Sequence, residues 1–180
     1  MDLDLVRRDE ASFPSIEQPQ SVKRARIWNC KYSTLRSVSM LKNLEVLVIL
    51  GYPDSTFEPI AGLSVLRHLA VTHFPHVADL AHLGNLQRLE TLSLSSLPSW
   101  DSSVKVLAVN SLEPITRLKG LKHLELFGVR APDKSLASLL KLPGLQSARF
   151  SKYSKVEKAK FYEASGVSDA FAPTQDFGDA

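Results

Sequence analysis

The chain has a single cysteine. Cys30 therefore closes no internal disulfide, and packing alone must hold the core, as suits a reducing compartment. No stretch approaches the ~20 consecutive apolar residues of a membrane span. The opening MDLDLVRRDEASFPSIEQPQ has no apolar run of signal-peptide length. A soluble, cytoplasmic protein is the expectation. Charge of one sign is scarce as well, since 22 Lys and Arg against 19 Asp and Glu leave a formal net charge of +3. No Lys/Arg run is dense enough for a nucleic-acid footprint. Neither nucleic acid nor membrane is thus an expected partner. A Walker loop, a dinucleotide fingerprint, G-x-S-x-G and the kinase signatures are missing too. No catalytic residue, metal or cofactor is assigned.

What the chain does have is 44% hydrophobic residues, enough for a core, and a repeat. LKNLEVLVILGY begins at Leu41, LSVLRHLAVTHF at Leu63, LQRLETLSLSSL at Leu86, LKGLKHLELFGV at Leu118 and the weaker LPGLQSARFSKY at Leu142. A degenerate copy, PQSVKRARIWNC, begins at Pro19. Successive starts lie 22, 22, 23, 32 and 24 residues apart. The apolar positions read L-x-x-L-x-x-L-x-L. The closing L-x-L alternates, as a strand with one buried face does. The leucines three apart suit a helix-like turn curling back over the core. One unit cannot bury its own leucines, so neighbours must stack into a solenoid with a parallel sheet along one side.

This spacing resembles the leucine-rich repeat family, in the short, about 22-residue form of bacterial internalin-like and cytoplasmic proteins. The return segments FEPIAGLSVL (57–66) and LEPITRLKGL (112–121) share a Glu-Pro-Ile step that supports the likeness. The resemblance implies an α/β class fold: a right-handed leucine-rich repeat solenoid of about six repeats, with a short parallel concave sheet and a helical or 3-10 convex side. It also implies a non-enzymatic scaffold that binds another protein. The chain departs from the family where an inward Asn is usual, with Tyr52, Phe74, Leu97, Val129 and Tyr153. Apolar packing is expected in place of a polar ladder there.

Three segments follow from this pattern. Residues 1–18 form an N-terminal cap or partly mobile segment, 19–153 the repeats and 154–180 a C-terminal capping helix and tail. Ser154 with Glu157 three residues on is a capping-box signature, and Gly166 suits the stop. That helix lays Val156, Phe161 or Tyr162 on the last repeat, while Phe171 and Phe177 lie in the tail. The long repeat, 86–117, carries about ten extra residues around Trp100. VKVLAVNSL imitates a strand, but the spacings on either side are too short for a full turn, so a bulged loop is preferred.

Residues between the inward pairs point to the concave face. They make three rows: Arg24, Val46, His68, Thr91, His123, Ser147; then Arg26, Val48, Ala70, Ser93, Glu125, Arg149; then Trp28, Leu50, Thr72, Ser95, Phe127, Ser151. Val46, Val48, Leu50 and Trp28 make an apolar patch flanked by Arg24 and Arg26, on a face that is normally polar. Aromatic residues and Arg are common interface anchors. Either a partner docks there or residues 1–18 fold over it. His68, His123, Glu125, Phe127 and Arg149, with Trp100 in the loop, complete the candidate partner-binding set. The expected partner is another protein, the expected state a monomer. Neutralisation of a toxin or regulation of a bacterial system, self-assembly, and a cryptic metal-dependent enzyme built on His73, His76, Asp79 and His82 are the alternatives, the last the weakest.

Overall fold

The computed structural model describes residues 1–101 and 103–173. Six strands come from the six copies: β2 (Arg24–Trp28), β3 (Val46–Leu50), β4 (His68–Thr72), β5 (Thr91–Ser95), β7 (His123–Phe127) and β9 (Ser147–Phe150). With β1 (Asp2–Val6) and β10 (Ser168–Asp169) they form one eight-stranded sheet of order β1-β2-β3-β4-β5-β7-β9-β10. Every pairing is parallel. The register sets Arg24, Val46, His68, Thr91, His123 and Ser147 side by side. The two rows behind them follow, because a shift of one residue would turn every inward side chain out to water. This is a leucine-rich repeat solenoid.

The core is the stack of inward pairs. Leu47 and Ile49, Leu69 and Val71, Leu92 and Leu94, Leu124 and Leu126 are all fully buried. The leucines three apart that precede them each close a tight turn. Leu44 N–H donates to the Leu41 carbonyl, and Leu66, Leu89 and Leu121 repeat the bond to Leu63, Leu86 and Leu118. Before each turn the return path is a 3-10 segment, as at Arg36–Met40, Glu58–Ile60, Ala81–Asn85, Glu113–Arg117 and Ala137–Lys141. Pro59 and Pro114 sit in the first turn of theirs, where an amide donor would have no partner anyway. At the Asn-type position Tyr52, Phe74 and Val129 are buried. Tyr52, Phe57 and Phe74 stack as a short aromatic spine, with ring centres 5.0 and 5.7 Å apart.

Each strand must turn sharply out of the sheet. The residue after the fifth strand position is left-handed at Arg7, Asn29, Gly51, His73, Gly128 and Lys152. Ser96 is the one such position without a positive φ, and the extra residues begin there. A single helical turn, α1 (Pro98–Asp101), follows. The chain then forms a two-residue strand, β6 (Leu107–Ala108), paired with β8 (Val129–Arg130) in a separate two-stranded sheet. The segment is therefore more than a bulged loop. Leu107 and Val109 enter the core, while β5 and β7 pair directly and leave β6 no place in the concave sheet.

The first residues cover the end of the core as a strand, with Leu5 buried and Phe13 and Ile16 packed against it, and not as a fold over the apolar patch. Residues 2–6 extend the sheet as β1, parallel to β2, and do not fold across its face. Their alternation explains this: Leu5 is buried in the core, and Asp2 and Asp4 lie beside Arg24 and Arg26. At the other end helix α2 (Lys155–Ser165) is capped by Ser154 Oγ, which accepts from Glu157 N–H, and it stops at left-handed Gly166. The Glu157 carboxylate turns back to accept from Leu136 N–H at 2.7 Å, tying the helix to the preceding return. Phe161 meets Phe150 edge-on at 5.1 Å, whereas Val156 points to solvent. Phe177 lies outside the described residues. Just before the strands, Lys23 pairs with Glu45, and Glu90 with both Arg67 and Lys122. This alternating ladder costs little to hold, because the register already aligns it.

The turn chemistry separates two glycines. A Cβ on Gly51 would meet nothing within 4 Å, but one on Gly128 would overlap the Ser96 hydroxyl. Both have positive φ. Gly51→Ala should cost about 1 kcal/mol from backbone strain alone, and Gly128→Ala about 1–3 kcal/mol more from overpacking. Urea unfolding of both variants checks this; equal losses would contradict the assigned packing.

Candidate partner-binding groove

The concave face is not flat. A groove of about 480 Å³ runs along the third row, lined by Trp28, Leu50, Thr72, Ser95 and Phe127, with Glu125 and Arg149 at one end. Ser96, Leu97 and Pro98 form its wall. The missing left-handed kink at Ser96 sends the chain along the groove's edge instead of directly into the return. The floor satisfies itself, because Thr72 Oγ1 and Ser95 Oγ share a hydrogen bond of 2.8 Å. Trp28, Leu50 and Phe127 remain half-buried and so offer apolar surface to an occupant.

Charge brackets this apolar floor. At the β9 end Arg149 donates to Glu125 at 2.6 Å and lies over the Phe127 ring, its guanidinium carbon 5.7 Å from the ring centre. The Arg149 side chain is 51% exposed and that of Glu125 only 9%. Solvent at this end therefore meets the guanidinium. Beyond Trp28, on β1 and β2 and outside the groove's lining, the order reverses. Asp4 accepts two bonds from Arg26, at 2.8 and 2.6 Å, yet Asp4 is the more exposed partner, 54% against 31%. Asp2 lies 3.9 Å from Arg24 and is likewise the more exposed, 70% against 45%. The Arg26 bonds hold the Asp4 carboxyl below its usual range.

The expected site residues divide into groups. Trp28, Leu50, Glu125, Phe127 and Arg149 meet in the groove. Val48 stands half-buried beside it, and Arg24 and Arg26 form the β2 end. Val46, His68 and His123 are nearly sealed and make the face's first row, too buried to offer contact area. His123 Nδ1 lies 2.8 Å from Ser147 Oγ, which also accepts from Ala172 N–H at 3.3 Å. Trp100 is not a groove residue. It packs edge-on against His73, ring centres 5.5 Å apart, under the Lys105 ammonium. Leu97 and Pro98 belong to the loop 96–103 that the sequence marks as a contact candidate, whereas Asp2 and Asp4 are outside the expected set. The alternation DLDLV is the signal for these two.

Among the described residues, no three His, Cys, Asp or Glu side chains stand where they could hold one metal ion, so His73, His76, Asp79 and His82 form no such group. Cys30 is half-buried, its thiol 3.3 Å from the Leu5 carbonyl. Among the described residues no helix is long and apolar enough to cross a membrane.

Burial, aided by nearby Arg24, pushes His68 down to about 3. The unfolded chain takes up that proton near pH 6.5 and the fold resists it. Stability is therefore full above pH ~6.5 and falls as the pH drops toward His68's folded value. His73 and His123 are lowered in the same direction, mainly by burial. Between pH 6.5 and 5, His68 alone should remove about 2 kcal/mol. Urea unfolding across this range should show a shallower decline for His68→Gln than for the wild type; parallel curves would contradict the buried neutral imidazole.

No protein-family model and no curated protein matches the chain. Among solved structures it is similar to internalin C2 (inlC2) from Listeria monocytogenes, at 23% identity and TM-score 0.54, over 72% of this chain and 51% of that one. A second internalin (inlF) from the same species is similar at 18% identity and TM-score 0.51, over 82% of this chain and 46% of that one. The chain thus spans about half the length of the structures it matches. The fold is the leucine-rich repeat fold, in the form that these internalins have.

Proposed function

We propose that the chain is a non-catalytic protein-recognition module that binds another protein in the groove of its concave face. The apolar groove carries this reading. A sheet face turned to water is normally polar, yet Trp28, Leu50 and Phe127 share one trough, with nothing among residues 1–18 laid over it. Large aromatic and Arg side chains at the centre of a preformed depression are what an interface uses as anchors. The fold supports the reading in a general way, since solenoids present extended concave surfaces.

The groove alone is smaller than the ~800 Å² per partner of a standard interface. The wall at 96–98 and the charged ends at Asp2, Asp4 and Arg149 would supply the rest. The lone, half-buried Cys30 favours a reducing, cytoplasmic setting. A monomer fits the groove better than self-assembly, because two concave faces leave a void between them.

The test is capture from the native source by the wild type, Leu50→Asp and a control, Val104→Asp, whose side chain is 97% exposed outside the groove. A protein recovered with the wild type and the control, and lost with folded Leu50→Asp, is the expected result. Equal recovery with all three would sink the proposal. Light scattering should give a mass near 19.9 kDa, whereas a dimer dissociated by Leu50→Asp would favour self-assembly.

A further inference from the structure

The shape, backbone chemistry and charge of the groove together specify the kind of segment that fills it. We infer that the occupant is an amphipathic helix of the partner protein. It lies across the strands with an acidic end over Arg149 and a basic end over Asp2 and Asp4. This deepens the proposed function and rests on it.

The backbone of the sheet favours a helical occupant. The concave sheet is a continuous parallel ladder from β1 to β10, so the strands beneath the groove have given their amides and carbonyls to each other. The floor hydroxyls of Thr72 and Ser95 are bonded together as well. An extended peptide laid on Leu50 and Phe127 would press unsatisfied backbone groups against apolar side chains, at a cost of desolvation. A helix satisfies its own backbone and presents an apolar stripe instead. From β1 at Asp4 to β9 at Arg149 there are six strand steps, or about 29 Å, which a helix of about 19 residues spans.

Charge then gives direction. One ion pair, Glu125 with Arg149, lies in the groove, and two more lie on β1 and β2 beyond Trp28 and outside its lining, so neither side carries much net charge. The pairs differ in which partner faces out. Arg149 is exposed over a sheathed Glu125, while Asp4 and Asp2 are exposed beyond Arg26 and Arg24. Lys152, whose ammonium donates to the Ser103 carbonyl, adds positive charge on the Arg149 side. A helix acidic at one end and basic at the other therefore meets complementary charge at both.

Four synthetic peptides of about 19 residues test this. All share one apolar stripe at helical spacing and differ only in their terminal turns: acidic–basic, acidic–acidic, basic–basic and uncharged glutamine at both ends. Binding is followed by the fluorescence of Trp28 in a Trp100→Phe variant of the full chain. The acidic–basic peptide should bind about fivefold more tightly than each of the others, the scale of one or two exposed ion pairs. A quencher on its basic end should quench Trp28, and one on its acidic end should not. Replacing the whole inner pair, Glu125→Gln/Arg149→Gln, should reduce the preference over the basic–basic peptide to about twofold or less; Asp2→Asn/Asp4→Asn should do the same for the acidic–acidic one. Both variants leave no buried charge alone. Equal affinity for all four peptides, no binding by any, or Trp28 quenched from the acidic end would overturn the inference. Should these fail while Leu50→Asp still abolishes capture of the native partner, the recognition face stands and only the polar helix is lost.

Discussion

The stacking of one inward pair on the next is the constraint from which the rest of the structure follows. Leu69 and Val71 have no core of their own; they are buried only because Leu47 and Ile49 lie on one side and Leu92 and Leu94 on the other. Each fully buried side chain of this kind contributes about 1.5–3 kcal/mol. A slip of one residue would forfeit that for a whole strand. The register is thereby fixed, and with it the lateral order of every outward residue. The charge ladder Lys23, Glu45, Arg67, Glu90 and Lys122 is a consequence, as is the pairing of Asp4 with Arg26 and of Glu125 with Arg149.

The same constraint explains why a recognition site on this face has to be made of side chains. The inward positions are committed to packing and the backbone to the ladder. Only the three outward rows and the turns beyond them are free to vary. The groove arises where both change together. The third row carries Trp28, Leu50 and Phe127, and at Ser96 the outward turn takes another path. Gly128 records the closeness of that path, since its missing Cβ is the space that Ser96 occupies. Such a preformed trough limits the ordering entropy that binding would cost.

The repeat made the fold legible because period and burial coincide in L-x-L, and the rows followed from counting alone. Trp28, Leu50 and Phe127 could be placed on one face for that reason. The ends and the insertion were harder to read. DLDLV is a strand only because β2 lies ready beside it with two arginines in register; alone, five residues of alternating charge and leucine resemble any mobile terminus. Leu107 and Val109 offer too few inward residues for spacing to reveal β6. His68 and His123 stood in an outward row, but curvature and neighbours buried them, and no pattern along one strand reports crowding between strands. A Trp in an insertion reads equally as an exposed anchor or as a ring turned inward, and only the fold shows that Trp100 is engaged by His73 and Lys105 within the chain.

The central claim is that stacked leucines hold the concave strands as one preformed face before any partner arrives. Native-state hydrogen exchange of the free protein, read by mass spectrometry, addresses it most directly. The amides of β3, β4, β5 and β7 should be the slowest in the chain and should exchange together, while those of 54–56 and 104–106 exchange at least a hundredfold faster, a gap of about 3 kcal/mol in opening energy. Concave strands that exchange as quickly as those loops would mean that the face is assembled only on binding, and the account would be wrong.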